Sequence, residues 1–293
     1  MAITAPAFVV NASSHTLEGP EGDEEIARLR GLCPIPLTGV FKHADPGKAA
    51  REAIDHGADA LITLGGDGTA RSAAQAIYDA KADARLVALP MGTANLLPRR
   101  LYSTRTTDDI LQALDTLEPT ALPGGLASGE VFLIAAAAGF PTTFARARET
   151  ARDPSRADRL KTAIKRASVG FSEMFSSRLK FAADGASDER LDSASGLMVW
   201  VEEDAEDFDF AAINVHNFAE LMGLALGALS ERLRSDEQLL IRDAREVHLR
   251  SGRAIAIMVD GEPRNCGRKV SLLFKRDLVP VLRWPKCESG TAQ

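Results

Sequence analysis

The chain has 293 residues, 45% of them hydrophobic and 26% charged, with a formal net charge of -6 and a mean hydropathy of -0.08. That length suits two domains of ordinary size, each with enough apolar residues for a core. The acidic balance excludes a general nucleic-acid binder, which carries a basic excess. The cysteines Cys33, Cys266 and Cys287 are far apart and form no metal-ligand spacing, so free thiols in a reducing compartment are expected. The N-terminus lacks the basic start and long apolar stretch of a signal peptide. The longest apolar run, Val131 to Phe140, falls short of the roughly 20 residues that span a bilayer. A cytoplasmic protein is expected, soluble or held peripherally on the inner face of the membrane.

Ala7 to Val10 reads as a short buried strand that ends in the polar turn Asn11 to Ser14. A helix is expected over Asp23 to Arg30, and Pro34 and Pro36 then break the pattern. Pro46 opens a helix from Gly47 to His56, since proline is tolerated in a first turn, and Gly57 ends it. Ala60 to Leu64 is a strand of the fully buried kind. Gly65-Gly66-Asp67-Gly68-Thr69 follows it, and then an alanine-rich helix, Ala70 to Ala80. Leu86 to Leu89 is another buried strand, followed by Pro90-Met91-Gly92-Thr93-Ala94-Asn95. Thr107 to Leu117 reads as a helix. Strands alternating with helices predict a parallel α/β sheet. Ligands of such sheets sit beyond the carboxyl ends of the strands, where both glycine-containing loops fall.

The character changes near Glu118. Pro119, Pro123, Gly124 and Gly125 suggest a linker. Strands are then expected at Val131–Ala138, Leu179–Ala183, Gly196–Val201, Ala211–His216, Arg242–Leu249, Ala254–Val259 and Val270–Phe274. Joined mostly by turns, they predict an antiparallel sandwich or barrel, interrupted by helices at Asp158–Ser177 and Phe218–Leu233. The expected division is an α/β nucleotide-binding domain over residues 1–120, completed by 275–293, and a β-rich lipid-substrate domain over 121–274.

The chemistry concentrates in LITLGGDGT, Leu61 to Thr69. Paired glycines after a strand let the backbone turn sharply and approach a phosphate. Amides at the start of the next helix then present positive partial charge to it. Thr69 adds a hydroxyl, and Asp67 a carboxylate where a hard cation would bridge phosphates. The bland reading, a plain strand-to-helix turn, suits a bare glycine pair better than GGDGT after a buried strand.

This loop resembles the signature of the diacylglycerol kinase catalytic family, which includes sphingosine kinases, ceramide kinases and bacterial lipid kinases. NAD kinases and phosphofructokinases carry related loops. Pro90 to Asn95 is similar to the P-x-G-T-x-N motif of the lipid kinases, and Val259-Asp260-Gly261-Glu262 resembles the V-D-G-E that closes the active site in this family. Alone, Asp-Gly is a common hairpin turn. The sequence also departs from the pattern. Asn11-Ala12-Ser13-Ser14 stands where many members have N-P-x-S-G. Leu96 replaces a frequent aspartate, Leu122-Pro123-Gly124-Gly125 an aspartate-glycine pair, and Ala135 an asparagine. These changes thin the expected metal site.

The resemblance implies a two-domain lipid kinase that moves the ATP γ-phosphoryl group to a hydroxyl of diacylglycerol, ceramide or a sphingoid base. It implies ATP as co-substrate, with magnesium held by Asp67 and Glu262. Nucleotide contacts are expected from Asn11, Gly65, Gly66, Asp67, Gly68, Thr69, Gly92, Thr93, Asn95 and Glu262. Asp67 and Asp260 are the candidate catalytic carboxylates; the resemblance leaves either as the base, with a slight preference for Asp260 and for Asp67 near metal and phosphate. The alternatives are an NAD kinase-like phosphotransferase and a nucleotide-binding relative without catalysis. The expected partner is a lipid alcohol at a membrane surface, with no nucleic acid; a homo-oligomer stays open. Membrane contact has two candidates. One is the basic stretch Arg146 to Lys180, with an apolar face at Leu160, Ile164, Phe171 and Phe175. A basic amphipathic helix can lie in an anionic interface or pack that face on its own domain. The other is Pro98-Arg99-Arg100-Leu101-Tyr102. His216, Trp200 and Trp284 read as structural, and the acidic run Glu202 to Asp209 as a solvated loop or a structural cation site.

Overall fold

The structure, a computed structural model, describes residues 3–14, 17–139, 179–184, 192–214 and 239–285. The helices expected at Asp158–Ser177 and Phe218–Leu233, nearly all of the basic stretch after Arg146, and His216 lie outside the described residues. The chain divides into two compact units, Met1–Gly124 with Arg276–Gln293, and Gly125–Lys275.

The first unit is a parallel sheet with helices. Strand β1 (Pro6–Asn11) is buried along nearly its whole length. Helix α1 (Gly19–Leu32) leads to β2 (Gly39–His43). Helix α2 (Pro46–Asp55) follows, with Asp45 accepting the Gly47 N–H at 2.9 Å and Pro46 in the first turn. Strand β3 (Ala60–Leu64) is buried at every residue, as a central strand covered on both faces must be. Then come α3 (Asp67–Ala80), β4 (Arg85–Ala88), α4 (Leu96–Tyr102) and α5 (Thr107–Gln112). Helix α3 buries Ala70, Ala73, Ala74, Ala76 and Ile77, and α2 buries Ala49, Ala50 and Ala53. These small side chains let the two helices pack closely.

The strands lie in the order β2-β1-β3-β4. All pair in parallel, with Phe8 beside Val40 and Ile62, and Ile62 beside Val87. The chain steps outward in one direction from β1 to β2 and in the other from β3 to β4. The switch point of the sheet, where such folds bind ligands, is therefore between β1 and β3.

The second unit is antiparallel. A short hairpin joins the end of β5 (Glu118–Ala127) to β6 (Glu130–Phe132). Strands β7 (Ala135–Gly139), β10 (Gly196–Trp200), β11 (Phe208–Ile213), β12 (Leu239–Ala244), β14 (Ala256–Val259) and β15 (Glu262–Asn265) form one sheet in the order β12-β11-β10-β7-β14-β15. Strands β8 (Leu179–Ala183), β9 (Asp192–Ala194), β13 (Glu246–Arg250) and the first part of β16 (Lys269–Arg283) pair antiparallel as a second layer. The core between the inner faces includes Phe132, Phe181, Phe208, Leu197, Val247 and Leu272. Phe132 stacks on Phe208 at 5.4 Å, and Phe274 meets Phe208 edge-on at 5.3 Å, both favoured ring geometries. The last part of β16 belongs to the first unit, where Val281 pairs with Leu86 in parallel.

Several local expectations change. The proline- and glycine-bearing stretch 119–125 is strand rather than linker, running into β5 with Leu122 to Ala127 buried. Helix α3 starts at Asp67, three residues early, because extended Gly66 caps it and its carbonyl accepts the amides of Thr69 and Ala70. Strand β2 buries no residue fully: Val40, Lys42 and His43 are exposed, and Gly39 and Phe41 are partly so. The stretch Val131–Ala138 divides between β6 and β7, because the amides of Leu133, Ile134 and Ala135 turn away to the Asp260 carboxylate. Arg242–Leu249 divides at Arg245, whose N–H donates to Asp184 at 2.7 Å. The Arg245 guanidinium also pairs with Asp207, so the acidic run is anchored at that residue.

Helix α5 opens with a reciprocal cap. Thr106 Oγ1 accepts the Asp109 N–H, and the Asp109 carboxylate accepts the Thr106 N–H. Those bonds from Thr106 lower the Asp109 pKa. A carboxyl depressed in the folded state stabilises fully above its unfolded pKa, and that contribution is lost as pH falls through the folded value. Thr106→Ala is expected to cost about 1 kcal/mol in urea unfolding at neutral pH. The difference from the parent should shrink in acid, below the pKa of about 3.9 of an unperturbed aspartate.

Candidate functional site

Adjacency of β3 and β4 in a parallel sheet places the loops after them side by side. The first loop, 65–69, turns off β3 straight into α3. The second, 90–95, turns off β4 into α4. Their backbones touch through two glycines: a Cβ placed on Gly92 would lie 2.5 Å from the Gly66 Cα. No side chain of any size fits there. At Gly65 a Cβ would lie 2.2 Å from Thr69 Oγ1, so the Thr69 side chain fills the space that a residue at Gly65 would need.

Asp67 joins the loops a second time. Its carboxylate accepts the N–H groups of Leu96 and Leu97 at 3.1 and 3.0 Å. These are first-turn amides of α4, which have no acceptor within their own helix. A negative charge at a helix start is also favoured by the helix dipole. The residue thus sits in the first turn of α3 and caps α4 from outside. Nothing in the spacing of Asp67 and Leu96 signals this bond, because the two lie 29 residues apart in sequence, with the rest of α3 and a strand between them.

Asn95 holds its own loop. It adopts a left-handed backbone, φ 51°, which asparagine tolerates better than most residues. Its Oδ1 accepts the Gly92 N–H at 2.7 Å, and its Nδ2 donates to the carbonyls of Gly92 and Pro90 at 2.9 and 3.2 Å. Asn11, at the end of β1 and across the switch point, donates from Nδ2 to Thr69 Oγ1 at 3.4 Å. The Thr69 side chain is buried rather than displayed, while Thr93 is exposed on the second loop. The amides of Asp67 and Gly68 open α3 and by helix geometry have no intrahelical acceptor. They are the groups a bound phosphate would meet.

The third motif lies in the second unit. Asp260 and Gly261 form the turn between β14 and β15, with φ 47° and 85°, as a two-residue hairpin requires. The Asp260 carboxylate accepts three backbone amides, from Leu133 at 2.7 Å, Ile134 at 2.8 Å and Ala135 at 3.0 Å. Glu262 pairs with Arg264 Nη2 at 2.7 Å, and the same guanidinium reaches Glu130 at 2.9 Å. The structure thus brings Asn11, Gly65, Gly66, Asp67, Gly68, Thr69, Gly92 and Asn95 together in one unit. Asp260 and Glu262 occupy a hairpin of the other. Among the described residues no group of three or more His, Cys, Asp or Glu side chains is arranged to hold a metal ion. No described helix is long and apolar enough to cross a membrane. Cys33 and Cys266 are free thiols, and burial pushes the Cys33 thiol up to about 11.

Two substitutions test this junction. Gly92→Ala forces the loops apart and is expected to cost about 1–3 kcal/mol in thermal unfolding. Asp67→Ala leaves two α4 amides without their acceptor and should cost about 1 kcal/mol.

A family model described as the diacylglycerol kinase catalytic domain matches residues 8–123, the stretch that runs from β1 through both loops. A "Probable lipid kinase YegS-like" protein of Pseudomonas fluorescens is 38% identical over 101 residues, covering 34% of this chain and 33% of that protein. One of the same name from Cronobacter sakazakii is 33% identical over 119 residues, covering 40% and 38%. The matched stretches thus span little more than a third of those curated relatives. A solved structure titled as a diacylglycerol kinase from Bacillus anthracis str. Sterne superposes with a TM-score of 0.65, covering 97% of this chain and 98% of that one at 13% identity. A second structure from the same organism gives 0.70 at 14%. At such identity the likeness speaks to fold, and the fold is the same α/β unit joined to an antiparallel one. Residues 8–123 are thus similar to the diacylglycerol kinase catalytic domain.

Proposed function

We propose that the protein is an ATP-dependent lipid kinase, transferring the γ-phosphoryl group to a hydroxyl of a membrane lipid such as diacylglycerol, ceramide or a sphingoid base. The observation that carries this reading is the double-loop cradle. Two glycine loops abut at Gly66 and Gly92, at the carboxyl edge of a parallel sheet, inside a domain that matches a lipid kinase catalytic model. In this reading residues 1–124 with 276–293 take the nucleotide, and residues 125–275 take the lipid. A peripheral contact with the bilayer follows from the acceptor.

Phosphoryl transfer asks the protein mainly for positioning and charge neutralisation. The amides of Asp67 and Gly68 receive phosphate oxygens at the head of α3. Asn95 and Asn11 keep both loops in shape without touching the reacting atoms. Magnesium would supply charge neutralisation to the phosphates of the nucleotide. A cation that keeps most of its waters needs few protein ligands, and Asp67 is the carboxylate at the cradle that would hold it. Glu262 is engaged by Arg264 and serves this role only when that pair opens. Asp260 is our candidate base for the lipid hydroxyl. Its three amide bonds fix its orientation, and the loose transition state demands little basicity from it.

A second reading is a nucleotide binder without transfer. It is favoured by the same bonds, since Asp67 and Asp260 both already serve as backbone anchors. Purified protein with labelled ATP, magnesium and mixed micelles of diacylglycerol, ceramide or sphingosine, with NAD in parallel, separates the readings. Label in one lipid is expected, with Asp260→Asn slowing turnover by about 10²–10⁴ and leaving ATP binding intact. Label in NAD alone would replace the lipid acceptor. No label anywhere, with ATP still bound, would establish the second reading.

A further inference from the structure

The second layer of the antiparallel unit turns one face to solvent. In β8, β13 and the start of β16, buried residues alternate with Lys180, His248, Arg250, Lys269 and Ser271, which are exposed or half-buried. One-sided burial of an antiparallel sheet gives this alternation. The register then lines up three cations. Lys180 lies directly opposite Arg250, and Arg250 directly opposite Lys269. Residues so placed have Cβ atoms about 5 Å apart, and like charges there destabilise the pairing. Two more exposed cations, Arg253 and Arg268, follow at the same end of the strands, where the Ser251 N–H donates to the Arg268 carbonyl at 3.0 Å.

Among the described residues, Lys180, Arg253, Arg268 and Lys269 form no ion pair. Glu246, the carboxylate on this face of β13, is held by His248 at 2.8 Å. The row therefore concentrates positive charge in a chain whose net charge is -6. Lys180 is also the last residue of the basic stretch that begins at Arg146. An anionic partner laid against this face would turn the repulsion within the row into attraction. The next row in register is Ala182, His248 and Ser271, which offers no Phe, Tyr or Trp for base stacking. A broad strand face carrying several cations on long stems suits a planar array of headgroup phosphates.

We propose that the row Lys180, Arg250 and Lys269, with Arg253 and Arg268 beside it, is the surface on which the second unit meets an anionic lipid bilayer. The surface deepens the lipid kinase reading and rests on it for its purpose, since a membrane lipid acceptor lies in such a bilayer. Its binding is electrostatic, at headgroup level, and needs neither nucleotide nor turnover.

The test is co-sedimentation of the full chain, without ATP, with vesicles of phosphatidylcholine alone or of equimolar phosphatidylcholine and phosphatidylglycerol. Binding to the mixed vesicles alone is expected, and high salt should abolish it. Lys180→Gln and Lys269→Gln should each weaken it by about fivefold, and the double variant by more. Lys48→Gln, at an exposed lysine of α2, should leave it unchanged and controls for net charge. Each row variant should unfold in urea no earlier than the parent, because it relieves a like-charge pair. No binding, equal binding to both vesicles, or full binding by the double variant would overturn the surface. Earlier unfolding of the row variants would mark these cations as structural and overturn it too. Duplex DNA bound through the same lysines, with the vesicles ignored, would overturn the bilayer as partner. Label entering a micellar lipid without vesicle binding sinks this surface alone, whereas vesicle binding without label in any lipid supports it and sinks only the kinase reading.

Discussion

The first unit depends on the contact between two loops that would repel each other in any sequence with larger residues there. Gly66 and Gly92 bring two backbones within van der Waals distance. Backbone pressed on backbone leaves little room for side chains to satisfy polar groups, and the amides that open α4 need an acceptor. Asp67 supplies it from the opposite loop. One carboxylate therefore offsets the cost of a helix start and ties the two turns together.

Carboxylate-to-amide bonding recurs in the second unit, where it shapes the chain rather than ending a helix. Three consecutive amides, from Leu133 to Ala135, turn onto Asp260 and break what would otherwise be one strand. The break lets β6 leave its hairpin with β5 and lets β7 enter the six-stranded sheet. A carboxylate that accepts charge-assisted bonds from three N–H groups is oriented more firmly than by packing alone. Whatever chemistry Asp260 performs, its geometry is fixed by the same bonds that form the sheet.

The sequence was most legible where a single element carries its own signal. Ala60–Leu64 is continuous apolar residues followed by glycines, and the structure has a fully buried strand there. Helix α2 carried its start in Pro46. It was least legible where the deciding partner is remote. Strand β2 has no buried run, and it forms because β1 offers it an edge. Pro119 to Gly125 has loop composition, yet it is drawn into β5 and its later residues are buried. The division of Val131–Ala138 depends on a carboxylate about 125 residues away.

The local sequence by itself determined that strands alternate with helices in the first half, that two glycine loops leave the ends of buried strands, and that the second half is rich in turns and strands. Periodicity, proline and glycine act within a few residues, so these features can be read along the chain. Tertiary structure alone decided the strand order β2-β1-β3-β4, which places the two loops side by side and Asn11 within reach of Thr69. It also decided that Thr69 points inward, that Asp67 caps a helix it does not belong to, and that Lys180, Arg250 and Lys269 fall in one row. The physical reason is that hydrogen bonds and close contacts act over a few ångströms of space, whatever number of residues separates the partners.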